Sequence, residues 1–341
     1  MFFPGKYAQN GSVRKESGTC RGQEKSIVKL EREDYIDPAC PLCGKPGETE
    51  SAQPVPVDRI QRKLREYEDA SDWAGAERHL KYWLAEAEMN RDRRGQLMLH
   101  NELMGFYRKQ GSREEALRHA EAADTLVADL QMEDTVTAGT TWVNAGTVHE
   151  AFGDPVGGLD FFEKARANYE KNLQGGDERL GGLYNNMALA LTSCGRWAEA
   201  KDMFRKALKV MEQQEHREPE QAITWLNLAD ALEAELGPEE AAEYTEEYLD
   251  RAAELLDAPD LPRNGYYAFV CEKCAPVFGH YGYFAEEAEL RKRVKEIREG
   301  TWTVGAVLQS LRRTHDPGTV SGMGRADRRR AYGQRIGMLR L

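Results

Sequence analysis

Apolar side chains recur along this chain at steps of three and four residues, broken at intervals by a polar turn. In the stretch LYNNMALALTSCGRWAEAKDMFRKAL, residues 183–208, the apolar or small positions are Tyr184, Met187, Ala188 and Leu191. After Gly195 they continue at Ala200, Phe204 and Ala207. That spacing predicts two amphipathic helices joined at a glycine turn. Numbering Tyr184 as position four, the same offsets return 42 residues earlier at Trp142, Ala145, Gly146, His149, Gly153, Gly158, Phe162 and Ala165. A further 42 residues back they fall on His100, Leu103, Met104, Tyr107, Gly111, Ala116, Ala120 and Ala123. Forty-one residues forward lie Trp225, Leu228, Ala229 and Leu232, before an insertion near Gly237. A weaker first copy runs through Ile60, Leu64, Tyr67, Ala76 and Leu80, and a degenerate last copy lies around Tyr266–Ile297 with its register open.

A single hairpin cannot bury its apolar face alone, so such copies must stack into an array. The expected fold is an all-α solenoid of about six hairpins, near 57–92, 94–131, 135–174, 177–216, 218–257 and 262–299. Small residues at positions eight and twenty (Ala188 with Ala200, Gly146 with Gly158) let paired helices approach closely, while Tyr184, Leu191 and Phe204 fill the spaces between. Start signals agree: Ser112 and Glu115 have capping-box spacing, and Pro155 and Pro238 stand at first helical positions. The pattern W-x2-[LA]-[GA]-x2-[YH]…[AG]-x3-F-x2-A resembles the tetratricopeptide repeat (TPR) over about residues 57–299. The copies are about two helical turns longer than the roughly 34-residue family unit. They are similar in this to the repeats of kinesin light chains. The resemblance implies a right-handed solenoid whose first helices line a concave wall, and a protein-binding role.

Asparagine is a poor helix former, because its amide competes for backbone hydrogen bonds. Yet Asn144, Asn186 and Asn227 all stand at position six of successive copies, with Asn185 at position five. If positions four, seven, eight and eleven face the packing interface, then five, six, nine and twelve turn toward the groove. An amide offers both donor and acceptor. A row of them is expected to grip the backbone of an extended peptide, as the kinesin-light-chain resemblance also implies; the plainer alternative is bonding to neighbouring helices. Thr147, Glu150, Thr192, Asp230 and Glu233 are expected on the same wall. Three carboxylates and no lysine there favour a neutral or basic peptide.

Charge sharpens this picture. The formal net charge is −11 over 341 residues. Residues 1–53 are neutral and 300–341, with eight Arg and two Asp, carry +6, which leaves −17 on residues 54–299. So acidic a body argues against nucleic acid as the ligand. The Arg-rich terminal segment, expected to be mostly disordered, is either an unselected extension or an internal pseudo-ligand docking on the acidic body. No run of 18 apolar residues predicts a membrane span, and the first residues do not read as a secretory signal, so a cytoplasmic location is expected.

The cysteines add one further possibility. Cys40-Pro-Leu-Cys43-Gly44 resembles the knuckle of zinc ribbons and rubredoxins, inside an irregular segment 1–53. Tetrahedral zinc needs four ligands. Cys271 and Cys274, one helical turn apart, are candidates for the remaining two, as are Cys20 or a second molecule; the alternative for this pair is simple burial in the last copy. Zinc is therefore the one candidate cofactor. No GxSxG, P-loop, Rossmann fingerprint or HExxH is present, so the chain is not expected to be an enzyme. The favoured function is a protein-interaction scaffold, a signalling or regulatory adaptor; the alternative is a zinc-dependent adaptor acting through the Cys40–Cys43 turn.

Overall fold

The computed structural model describes residues 54–300, where the chain forms twelve α-helices and no strand. The Cys40–Cys43 turn, Cys20 and the Arg-rich segment lie outside the described residues. The helices pair as hairpins: α1 (Val57–Asp69) with α2 (Trp73–Met89), α3 (Arg93–Lys109) with α4 (Arg113–Asp129), and α5 (Val136–Ala151) with α6 (Pro155–Asn172). Then follow α7 (Glu178–Ser193) with α8 (Trp197–Met211), α9 (Glu218–Leu236) with α10 (Pro238–Leu256), and α11 (Gly265–His280) with α12 (Phe284–Arg298). They divide into two compact units, α1–α6 and α7–α12, each a stack of three hairpins. The expected all-α stack of helix hairpins is thus the fold observed.

Local chemistry explains the helix ends. Asp72, Asp92, Asp154 and Asn264 each cap a helix, their side-chain oxygens accepting from the N–H three residues on at 2.8–3.0 Å. Pro155 and Pro238 open α6 and α10 as expected. The capping box at Ser112 does not form: Ser112 makes no side-chain cap bond, and Glu115 instead pairs with Arg118 one turn along.

Between the helices of a hairpin, Gly111, Gly153, Gly195, Gly237 and Gly282 hold φ between 72° and 85°, a region other residues enter only at a cost. Gly282 fixes the register that the sequence left open. Counting back from it, Cys271 takes position four, Cys274 seven, Ala275 eight and Phe278 eleven, and all four are buried.

Positions four, seven, eight and eleven of α7 are likewise buried, as Tyr184, Met187, Ala188 and Leu191. Helices α5 and α6 approach closely at a pair of glycines. A Cβ at Gly146 would lie 2.6 Å from the Phe162 ring and 2.9 Å from the Gly158 carbonyl oxygen, so only glycine permits this approach.

Candidate functional site

The asparagines of the first helices are drawn into bonds between successive repeats. In the first unit, Asn144 on α5 donates its side-chain N–H to Asn101 Oδ1 on α3 at 2.9 Å. Asn101 Nδ2 in turn donates to Thr141 Oγ1 at 3.0 Å. In the second unit, Asn227 on α9 donates to Asn185 Oδ1 on α7 at 3.1 Å. Thr224 Oγ1 stands 3.3 Å from the same oxygen and shares its proton with the Glu220 carbonyl at 2.9 Å. The two arrangements are one motif: an Asn at position five of one repeat, held by a Thr at position three and an Asn at position six of the next. A related pairing joins Gln61, position five of α1, to the Glu102 carboxyl at position six of α3.

These clasps bury the wall more deeply than the spacing predicts. Asn185, Asn186 and Asn227 are only 2%, 7% and 3% exposed, and Asn144 is half-buried. Asn186 belongs to neither clasp, since position five of the copy before it is Val143. Thr147 and Thr192 turn their hydroxyls back to the Val143 and Ala188 carbonyls of their own helices, each at 2.8 Å.

The wall acids are answered within their own units. Asp230 accepts from Tyr281 Oη at 3.0 Å, and Glu233 lies 3.6 Å from His280 Nε2. Burial pushes the Glu150 carboxyl up to about 7, and Arg108, position twelve of the preceding repeat, pulls against that shift. Burial likewise lowers Arg108 to about 10, with Glu150 opposing. The folded state therefore keeps on Glu150 a proton that the unfolded chain releases. Its ionisation subtracts stability as pH rises from the ordinary glutamate range to about 7.

One wall position is bare. Gly105, position nine of α3, is half-buried, and a Cβ there would meet nothing within 4 Å. Gly105→Ala is expected to raise the unfolding free energy by up to about 1 kcal/mol, since only helix propensity changes. Urea denaturation of the two proteins checks it.

Cys271 and Cys274 are packed side chains of α11. Both lie in the core of the second unit, 0% and 1% exposed, among Leu249, Tyr267, Phe278 and Leu290. Burial lifts the Cys271 thiol to about 11 and the Cys274 thiol well above its ordinary value, so both are protonated and unreactive at neutral pH. Among the described residues, no group of three or more His, Cys, Asp or Glu is placed to hold a metal ion. Iodoacetamide at pH 8 should leave both thiols unmodified in the folded protein and label them after urea unfolding, read by peptide mass spectrometry.

Helical periodicity alone does not single out Asn101, Arg108, Thr141, Thr224, Tyr281 or His280. A signal for the clasp was present: Thr-Trp-x-Asn occurs at 141–144 and 224–227, each time one repeat after a position-five Asn.

No helix among the described residues is long and apolar enough to cross a membrane. No curated protein matches the chain. Among solved structures, BtubC (BKLC) from P. vanneervenii is similar at 19% identity, over 58% of this chain and 79% of that one, with a TM-score of 0.52. A putative kinesin light chain of nearly identical TPR-like repeats from Podosopora anserina aligns at 19% identity over 60% of this chain and 96% of that one, with a TM-score of 0.44. The helix-hairpin fold is thus shared with BtubC, and residues 179–254, from α7 into α10, match the tetratricopeptide repeat family.

Proposed function

We propose that the chain is a protein-interaction scaffold that holds an extended, neutral or basic peptide segment against the first helices of its hairpins. One observation carries this reading: positions six, nine and twelve of α5 and α9, and six and twelve of α7, bear amide, hydroxyl or carboxyl groups where packing alone would be served by apolar ones. Asn144, Thr147 and Glu150 are assigned to the contact in the first unit, and Asn186, Thr192, Asn227, Asp230 and Glu233 in the second. Asn144 and Asn227 donate one N–H to a clasp and take part through the rest of their amides, while Asn185 serves the clasp alone. The acids set the charge preference, and the amides meet the peptide backbone without reading its side chains. This is a binding role rather than a catalytic one.

The test is an array of immobilised random peptides probed with the full chain. Basic and neutral peptides should be retained, and Asp230→Asn/Glu233→Gln should lose them with an unchanged melting temperature. Equal retention by this variant and wild type would remove the reading. The zinc-dependent adaptor rests on the CPLCG turn at residues 40–44. It requires one zinc per purified chain, lost on Cys40→Ser, and a metal-free chain would dismiss it.

A further inference from the structure

Charge within the described chain is concentrated in the second unit: residues 54–172 carry −6 and residues 173–300 carry −11. More than half of the latter sits on α10, which has seven acids against the single cation Arg251. Its solvent face presents Glu240, Glu243, Tyr244, Glu247, Arg251 and Glu254 on successive turns, with Tyr244 53% exposed. Among the described residues, Glu240, Glu243 and Glu247 make no ion pair, although Glu254 is met by Arg251. Helix α12 shows the contrast, since its acids Glu287 and Glu289 pair with Arg291, Arg293 and Lys292. Glu243 and Glu247, four residues apart, repel one another along α10, which disfavours the helix unless a cation relieves them.

We propose that this face of α10 docks the chain's own Arg-rich segment Arg325–Arg330, RADRRR, within the same molecule. The chemistry matches in two respects. A guanidinium bonds carboxylates through its planar fork and stacks on an aromatic face, so glutamates flanking an exposed Tyr244 suit arginine better than lysine. The terminal segment holds eight Arg and no Lys. Connectivity allows it as well. The described chain ends at Gly300, directly after α12 in the same unit as α10. The 24 residues between Gly300 and Arg325 span roughly 25–30 Å even as a random coil. The radius of gyration of a unit this size is about 14 Å. The face belongs to the second helix of its hairpin, apart from the wall formed by the first helices, so this inference is independent of the peptide reading.

Limited trypsin digestion of the full chain tests it, with cleavage after Arg325, Arg328, Arg329 and Arg330 followed by mass spectrometry. Cleavage tracks the undocked population. It should be about five-fold faster in Glu240→Gln/Glu243→Gln/Glu247→Gln than in wild type. Raising salt from about 50 to 500 mM should release wild type to the same extent and leave the variant unchanged. Tyr244→Ser should fall between them. Equal rates in wild type and the triple variant would overturn the proposal. So would protection that grows with protein concentration, which places the contact between molecules. The control Glu212→Gln/Glu215→Gln, on exposed acids elsewhere in the unit, should cleave like wild type; if it relaxes protection equally, net charge and not this face is responsible.

Discussion

Replacing Asn185 with alanine is expected to cost about 1–2 kcal/mol of folding stability while the helix content of the folded chain stays the same. Asn185 is 2% exposed, and its Oδ1 is the acceptor for Asn227 on the next first helix. Truncation leaves the Asn227 N–H, itself on a 3% exposed side chain, inside the stack without that acceptor. A buried donor stranded in this way costs about 1–3 kcal/mol, against which alanine returns up to about 0.7 kcal/mol of helix propensity. Thr224 is spared, because the Glu220 carbonyl still takes its proton. The double variant Asn185→Ala/Asn227→Ala should therefore lose less than the sum of the single variants, with a coupling of about 1 kcal/mol. Urea denaturation of the four proteins supplies the cycle, and amide exchange should quicken in α9 before α8. If Asn185→Ala matched wild type in stability but lost retained peptides, the amide would belong to the ligand and not to the clasp.

That outcome bears on what the sequence could convey. Periodicity identifies which residues share a helix face, and at positions four, seven, eight and eleven that was enough, because those residues meet their own hairpin partner. Positions five and six lie at the edge of the face, where the next first helix packs, so their depth depends on stacking that a single-helix pattern does not encode. Two adjacent asparagines in α7 therefore looked like groove residues, although Asn185 reaches the following helix. The paired cysteines are a second case. Cys271 and Cys274 stand where other copies carry Tyr184 and Met187, but position twenty of that copy is Glu287 rather than a small residue, which blurred the repeat. Only the left-handed turn at Gly282 restores the alignment. Ser112 shows the limit at a helix end: the capping spacing was present, yet Glu115 had a stronger partner in Arg118.

Glycine makes the same point from packing, because one substitution at two mid-helix positions should act with opposite sign. Gly146→Ala is expected to destabilise the chain by about 1 kcal/mol net, whereas Gly105→Ala stabilises it. Helix propensity favours alanine at both sites by about 1 kcal/mol. At Gly146 the added methyl meets the Phe162 ring at 2.6 Å and the Gly158 carbonyl oxygen at 2.9 Å. The ring is fully buried and the carbonyl is backbone, so neither yields without α5 and α6 moving apart. Overpacking of this kind costs about 1–3 kcal/mol, and occasionally more, which exceeds the propensity gain. Gly158→Ala should behave alike, with its own Cβ 3.0 Å from the Gly146 carbonyl oxygen. Separating α5 from α6 also shifts Asn144 away from Asn101, so Gly146→Ala should weaken the clasp as well as the hairpin. A double-mutant cycle between Gly146→Ala and Asn101→Ala reads that coupling, and additive losses would show that hairpin spacing and clasp geometry are set independently.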